Sequence, residues 1–308
     1  MVLCIKENIG ETLMNKITFD EILKKNIINT TGVDLFGYNN THSLYYNNYI
    51  FEKFVNQMLN DYPNHYYKYS RGKGSELKPQ GNTPPKMASV ASSSRFCYLA
   101  LRNGATALGG YGNVEFEHEC RIDGITGTAP QMDAYIKNGN IFVEAKCHEI
   151  FDAHKITLSK QYFDLLFGES NDFGLEYIPQ KKMSDYGFVE KGNEFELPFD
   201  KMGIYQPKML DFKQMICHLM GIRSHKQQEE TATLIYMFFK PKASTKEQND
   251  EINAEFVKLT NEITTIFGSN VSPINRFAKK NNIKLKAVAQ YAEVMSPLTV
   301  ENLIQLYP

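Results

Sequence analysis

The sequence predicts an α/β fold, a single domain built on a mixed β-sheet, and three observations predict it. Three period-two stretches, VEFEHECRI, QMDAYIK and NIFVEAKC, follow one another closely and read as successive strands. The last two are joined by Asn138-Gly139, the strongest short-range signal for a two-residue hairpin. Helical and strand patterns then alternate to the C-terminus, which demands helical crossovers and therefore parallel neighbours beside the hairpin. The order is helix, three strands, helix, strand, helix, strand within one domain of residues 1–308.

Taken in order, residues 1–41 form an N-terminal extension, with a helix over about 10–26 and an Asn/Thr/Gly-rich connector. Ser43 is placed to cap a helix that runs to about Asp61. Its apolar stripe is Leu44, Phe51, Phe54, Val55, Met58 and Leu59, with Glu52 at the stripe's edge. Residues 63–94 are rich in Gly, Pro, Ser and basic residues and read as a long surface loop, a kind that is commonly functional. SRFCYLALRN is a short helix, and the three strands follow it. Residues 151–206 read as an insertion with a helix near 157–167. Residues 207–308 complete the core. PKMLDFKQMICHLMG is a helix with Pro207 at its start, Gly221 at its end and a buried stripe of Met209, Phe212, Ile216 and Leu219. TATLIYMFFK is a buried strand, KEQNDEINAEFVKLTNEITTIFG an amphipathic helix, and IKLKAVAQYAEVM a last strand.

Charged residues make up 22% of the chain and hydrophobic residues 42%, which is enough to build a real core. A formal net charge of −1 excludes a global basic bias, so any nucleic-acid site must be a local patch. Five scattered cysteines without CxxC spacing fit a reduced, intracellular protein better than a disulfide framework. Lys6, Glu7, Glu11 and Lys16 interrupt any signal-like apolar run, and LIYMFF at 234–239 is far short of a membrane span. The expectation is a soluble, cytoplasmic protein with no membrane partner.

The chemistry is concentrated in QMDAYIKNGNIFVEAKC. With Asn138-Gly139 in the turn, Lys137 pairs with Asn140, and the numbers of paired residues sum to 277. Asp133 and Glu144 obey that sum, so they lie across from one another on one face, and Lys146, two residues on, shares it. Two carboxylates ~4 Å apart repel by ~1 kcal/mol in bulk water and ~4 kcal/mol at a partly shielded site. Lys146 offsets part of this, and a hard divalent cation such as Mg²⁺ offsets more. Such an ion polarises a phosphoryl oxygen, and a neighbouring ammonium stabilises charge developing on phosphorus. The alternative is a solvated hairpin face, but IFVEAKC is apolar enough for a central strand, where charges need a reason.

Asp133, ten residues, then Glu144-Ala145-Lys146 resembles the PD-(D/E)XK nuclease superfamily, and the element order is similar to its core over roughly residues 42–240. The resemblance implies a restriction-endonuclease-like three-layer α/β/α core with a central mixed sheet in the order α-β-β-β-α-β. It implies Mg²⁺ or Mn²⁺ held by Asp133 and Glu144, with the Ala145 carbonyl as a further ligand, and Lys146 serving the hydrolytic step. Many members place an acid on the first core helix, which matches Glu52, and some place a polar residue on the helix after the motif, which matches Gln214. Gln214 shares a helix face with His218 at i, i+4. Met132 departs from the family's proline before the first acid. The implied activity is hydrolysis of phosphodiester bonds in DNA, and the partners expected are DNA, the divalent metal and a second copy of the chain in a homodimer. The rivals are a nucleic-acid-binding protein that keeps the fold without turnover, and a hydrolase of small phosphorylated molecules.

Phosphate contacts are expected from Lys68, Arg71, Lys73, Lys78 and Lys86, interleaved with Tyr66, Tyr67 and Tyr69, and from Arg95 behind SSS at a helix start. Arg276, Lys279, Lys280, Lys284 and Lys286 form a second patch. The pairs His118/Cys120, Cys147/His148 and Cys217/His218 lack structural-zinc spacing and read as buried cysteines beside incidental histidines. GGYGN lacks the Lys-Ser/Thr of a P-loop, and no GxSxG is present.

Overall fold

A computed structural model describes residues 20–25, 28, 36–38, 44–71, 76–127, 129–148, 157–241, 243, 245–291 and 303–307. In chain order its elements are β1 (Phe36–Tyr38), β2 (Leu44–Tyr46), α1 (Asn48–Asp61), α2 (Pro63–Arg71), α3 (Ser93–Leu101), β3 (Tyr111–Glu119), β4 (Gln131–Asn138) and β5 (Ile141–Lys146). Then come β6 (Thr157–Ser159), α4 (Phe163–Phe167), β7 (Val189–Lys191), β8 (Glu194–Glu196), α5 (Phe199–Met202) and α6 (Phe212–His225). The chain closes with β9 (Ala232–Lys240), α7 (Lys246–Ile263), α8 (Pro273–Lys280), β10 (Ile283–Tyr291) and β11 (Leu303–Tyr307).

The fold is mixed α/β. Six strands form one sheet in the order β11-β10-β9-β5-β4-β3. β5 and β10 run parallel to β9, while β3–β4, β4–β5 and β10–β11 are antiparallel. β5 is therefore central, and Ile141 through Ala145 are all buried, as a strand covered on both faces requires. Helices lie on both faces. Phe96 of α3 meets Phe239 of β9 on one, and His218 of α6 and Phe267 beyond α7 meet Tyr236 of β9 on the other.

The hairpin register agrees with the turn. Ala134, Tyr135 and Ile136 pair with Val143, Phe142 and Ile141, and Asn140 N–H donates to Lys137 O at 3.1 Å. Positive φ falls on Gly139 (+116°) and Asn140 (+50°), however, and not on Asn138. Asn140 tolerates that conformation because its side chain is used twice, accepting from Tyr135 OH and donating to Thr231 O.

Several boundaries differ from expectation. The helix expected from Ser43 starts at Asn48. Leu44–Tyr46 pairs with β1 instead, and Asn47 Oδ1 caps by accepting from Ile50 N–H at 3.0 Å. Ser43 lies outside the described residues, as does most of the helix expected over 10–26, although residues 20–25 are helical. The loop expected over 63–94 contains α2, and Glu76, Leu77, Met87 and Ala88 beyond it are buried. The helix expected near 157–167 begins as β6, because Leu158 pairs with Phe195 in a small β6-β8-β7 sheet above a cluster of Phe163, Phe167, Phe188 and Phe195.

Pro207 does not open α6. Asp211 does, by accepting from Gln214 N–H at 3.0 Å. Nor does Gly221 end it. A Cβ there would lie 2.7 Å from Cys120 O, so this glycine is the price of bringing α6 against the end of β3. The helix α8 and the strand β11 were not expected.

Candidate functional site

The β4–β5 ladder pairs residues 134–136 with 141–143 and then opens. Just past the opening, the Ala145 N–H donates to Asp133 Oδ2 at 2.7 Å, so a carboxylate takes the place of a backbone carbonyl. Glu144, buried to 4% exposure, is the next residue of β5. Its Oε1 lies 2.8 Å from Lys146 Nζ and accepts from Gln214 Nε2 at 2.7 Å. Lys146 Nζ donates in turn to Gln214 Oε1 at 2.6 Å, which closes a triangle of Glu144, Lys146 and Gln214. His218, one turn along α6, places Nε2 3.5 Å from Glu144 Oε2 and Nδ1 3.2 Å from Tyr236 OH. Tyr236 is the β9 residue paired with Glu144.

Electrostatically this is a crowded acidic site. Burial, then Glu144 and Glu117, push the Asp133 carboxyl well above its usual range, against the Ala145 amide and Lys146, which lower it. Glu117 is pushed up to about 7, by burial first and then by Glu76, with Lys86 opposing. Burial pushes His218 down, with Glu144 opposing, and pushes the Tyr236 hydroxyl well up.

Glu117 is the member that sequence reasoning missed. In the β3–β4 register it falls between the pairs Phe116–Ala134 and His118–Met132, opposite Asp133. By backbone position Glu117, Asp133, Glu144 and Tyr236 fall at one level across β3, β4, β5 and β9, although the β4–β5 ladder itself ends at Ala134–Val143. Glu117 also sits at φ +51°, a costly conformation for a residue with a side chain and one that clusters at functional sites. Asp133, Glu144 and Glu117 offer hard oxygens of the kind a divalent cation takes, although among the described residues these three carboxylates do not gather within ligand distance of one another.

Other expected residues are dispersed. Glu52 is exposed on α1 beside Tyr49, Lys53 and Asn56, on a surface hollow that includes none of the site residues. A stripe-edge position on that helix faces solvent, and the additional acid comes from β3. Arg95 is no phosphate contact either. It is buried, donates to Met87 O and Val90 O at 3.1 Å each, and lies 4.1 Å over the Tyr46 ring. Lys73 lies outside the described residues. Lys78 is exposed, and Lys86 pairs with Glu76 at 3.2 Å.

Lys68 and Arg71, exposed on α2, line a cleft of about 470 Å³ whose opposite wall is Glu117, Glu119 and Gln131. Tyr67 stands in the same cleft with the Arg71 guanidinium 5.4 Å over its ring. Tyr69 points inward instead and packs on Tyr98 and Phe116. In the second basic patch Arg276 donates to Gly174 O and Val271 O, and Lys280 pairs with Asp172 at 2.6 Å, so these cations tie α8 to the insertion. No helix among the described residues is long and apolar enough to cross a membrane.

No family model, curated protein or solved structure matches this chain.

Proposed function

We propose that this protein is a metal-dependent nuclease with a restriction-endonuclease-like core, hydrolysing phosphodiester bonds of DNA. The observation that carries the reading is the convergence of Asp133, Glu144 and Lys146 with Gln214 where the β4–β5 ladder opens. The cleft lined by Lys68 and Arg71 adds support, since it runs up to Glu117 and offers a phosphate backbone a path to the acids.

In this reading Asp133, Glu144 and the Ala145 carbonyl hold Mg²⁺ or Mn²⁺, with Glu117 beside them. Bound there, the cation supplies charge neutralisation and polarisation of a phosphoryl oxygen. Lys146 Nζ is held by Glu144 and Gln214, where it orients the attacking water and stabilises negative charge on phosphorus. Gln214 is a positioning residue, because it aims both Glu144 and Lys146. Lys68 and Arg71 hold backbone phosphates without selecting sequence.

The test is plasmid DNA incubated with the purified protein and Mg²⁺ or Mn²⁺. Wild type should cut it and Lys146→Ala should not; equally intact DNA with both proteins across several substrates sinks the catalytic reading. One observation favours a second reading, a DNA-binding protein without turnover: Lys146 already neutralises Glu144 at 2.8 Å. Salt-dependent DNA binding with no metal-dependent cleavage would select it.

A further inference from the structure

On the α6 side of the sheet, away from Glu144, three side chains meet that sequence spacing did not group. His118 lies in β3, Cys120 just after it, and His225 in the last turn of α6. Their ligand atoms all lie within 4.8 Å of one another. The His118 and His225 rings meet edge to face with centroids 4.7 Å apart.

The environment is that of a metal ligand set. His118 Nδ1 is 3.1 Å from Glu115 Oε2, the carboxylate–imidazole arrangement that orients a metal-binding histidine through its far nitrogen. That far nitrogen, Nε2, is buried and has no hydrogen-bond partner. A buried polar atom left without a partner is destabilising, and packing against Tyr135 does not satisfy it. Cys120 is buried and held in place by its N–H, which donates to Pro130 O at 2.8 Å. Gly221 lets α6 approach Cys120 closely, and His225, four residues on, lies on the same helix face above it.

We propose that His118 Nε2, Cys120 Sγ and His225 bind one zinc ion, leaving a fourth, solvent-facing position. One thiolate and two imidazoles form a borderline-soft set that suits zinc and does not suit Mg²⁺. Ligands at about 2.0–2.3 Å in a tetrahedron stand roughly 3.4–3.8 Å apart, so the three atoms need to close by about 1 Å. Exposed His225 has the freedom to supply that movement. Cys120 binds as the thiolate, and its proton passes to solvent. The ion would clasp the C-terminal end of α6 to β3, while Gln214 and His218 fix the same helix to Glu144.

The test uses the full chain freed of metal, titrated with Zn²⁺ against a chromophoric chelator and with Co²⁺ read by its thiolate charge-transfer absorption. One equivalent should bind, with the charge-transfer band present. The band should vanish in Cys120→Ser and persist in Cys217→Ser. Because buried Cys120→Ser can fail to fold, two surface variants carry equal weight. His225→Ala should weaken Zn²⁺ binding, and Glu115→Gln should weaken it by about 10–100-fold. No stoichiometric binding, a band that survives Cys120→Ser, or unchanged Zn²⁺ affinity in His225→Ala overturns the proposal.

Discussion

Replacing Gln214 by methionine keeps the volume and helix propensity of that position in α6 while deleting two hydrogen bonds at once. The amide donates to Glu144 at 2.7 Å and accepts from Lys146 at 2.6 Å, so both bonds involve a charged partner. Such bonds contribute about 1.5–3 kcal/mol each, a gross loss of about 3–6 kcal/mol. Lys146 and Glu144 stay paired at 2.8 Å, and water reaches the 12%-exposed Lys146 side chain, which together restore part of the loss. We predict a net destabilisation of about 2 kcal/mol, a fall in Tm of about 3 °C for a chain of 308 residues. Urea denaturation should show a lower midpoint at unchanged slope. Plasmid cleavage should slow by about tenfold or more, since an ammonium displaced by 1.4 kcal/mol of lost positioning energy costs about that factor. A stability within about 0.5 kcal/mol of wild type, the range of an ordinary surface change, together with unchanged cleavage would refute the reasoning that α6 holds the site together.

Two further predictions concern acids, the half-buried Glu117 and the buried Glu262. Glu117, ionising near 4.5 when unperturbed and pushed up to about 7 in the fold, keeps its proton in the folded chain while the unfolded chain has lost it. Its contribution is therefore complete below about pH 4.5 and is lost as pH rises through about 7, so metal-free Glu117→Gln should be the more stable protein at pH 8 by on the order of 1 kcal/mol, with the gap closing at pH 4 in thermal melts. Glu262 accepts from the N–H groups of Lys208, Met209 and Leu210 at 2.8–2.9 Å and anchors the segment that leads into α6. Glu262→Ala strands those amides and should cost about 3 kcal/mol or more by calorimetry, and Glu262→Gln, which keeps one acceptor, should cost less.

The hairpin was legible because a single dipeptide, Asn138-Gly139, sets its register, and register fixes which acids face each other. Gln214 was legible only through the family resemblance, which implies a polar residue on the helix after the motif; its spacing from His218 adds that the two share a helix face. Glu117 was not. Its register against Asp133 is set across the ten-residue connector RIDGITGTAP, whose Asp123-Gly124 is not flanked directly by the two strands and so does not fix their register. Glu52 shows the limit of the stripe-edge argument, because an edge position borders solvent as readily as a site. Arg95 followed a serine run and looked like a phosphate contact, but its guanidinium is spent on two carbonyls that only the folded turn at 86–90 brings within reach. The His118–Cys120–His225 group joins positions more than a hundred residues apart, which no spacing rule connects.

The pairing of β5 with β9 has a consequence for the nascent chain. Both acids and the ammonium leave the ribosome together on one contiguous hairpin, but Glu144 meets its lateral neighbour Tyr236 only after the whole Phe-rich module of β6, β7 and β8 has been synthesised. Closing so long a span adds only about (3/2)RT ln n to the entropic cost of the pairing. Until β9 docks, the Glu144 edge of the hairpin is an open strand in water. A half-made polypeptide thus carries all three charged groups before β9 encloses them.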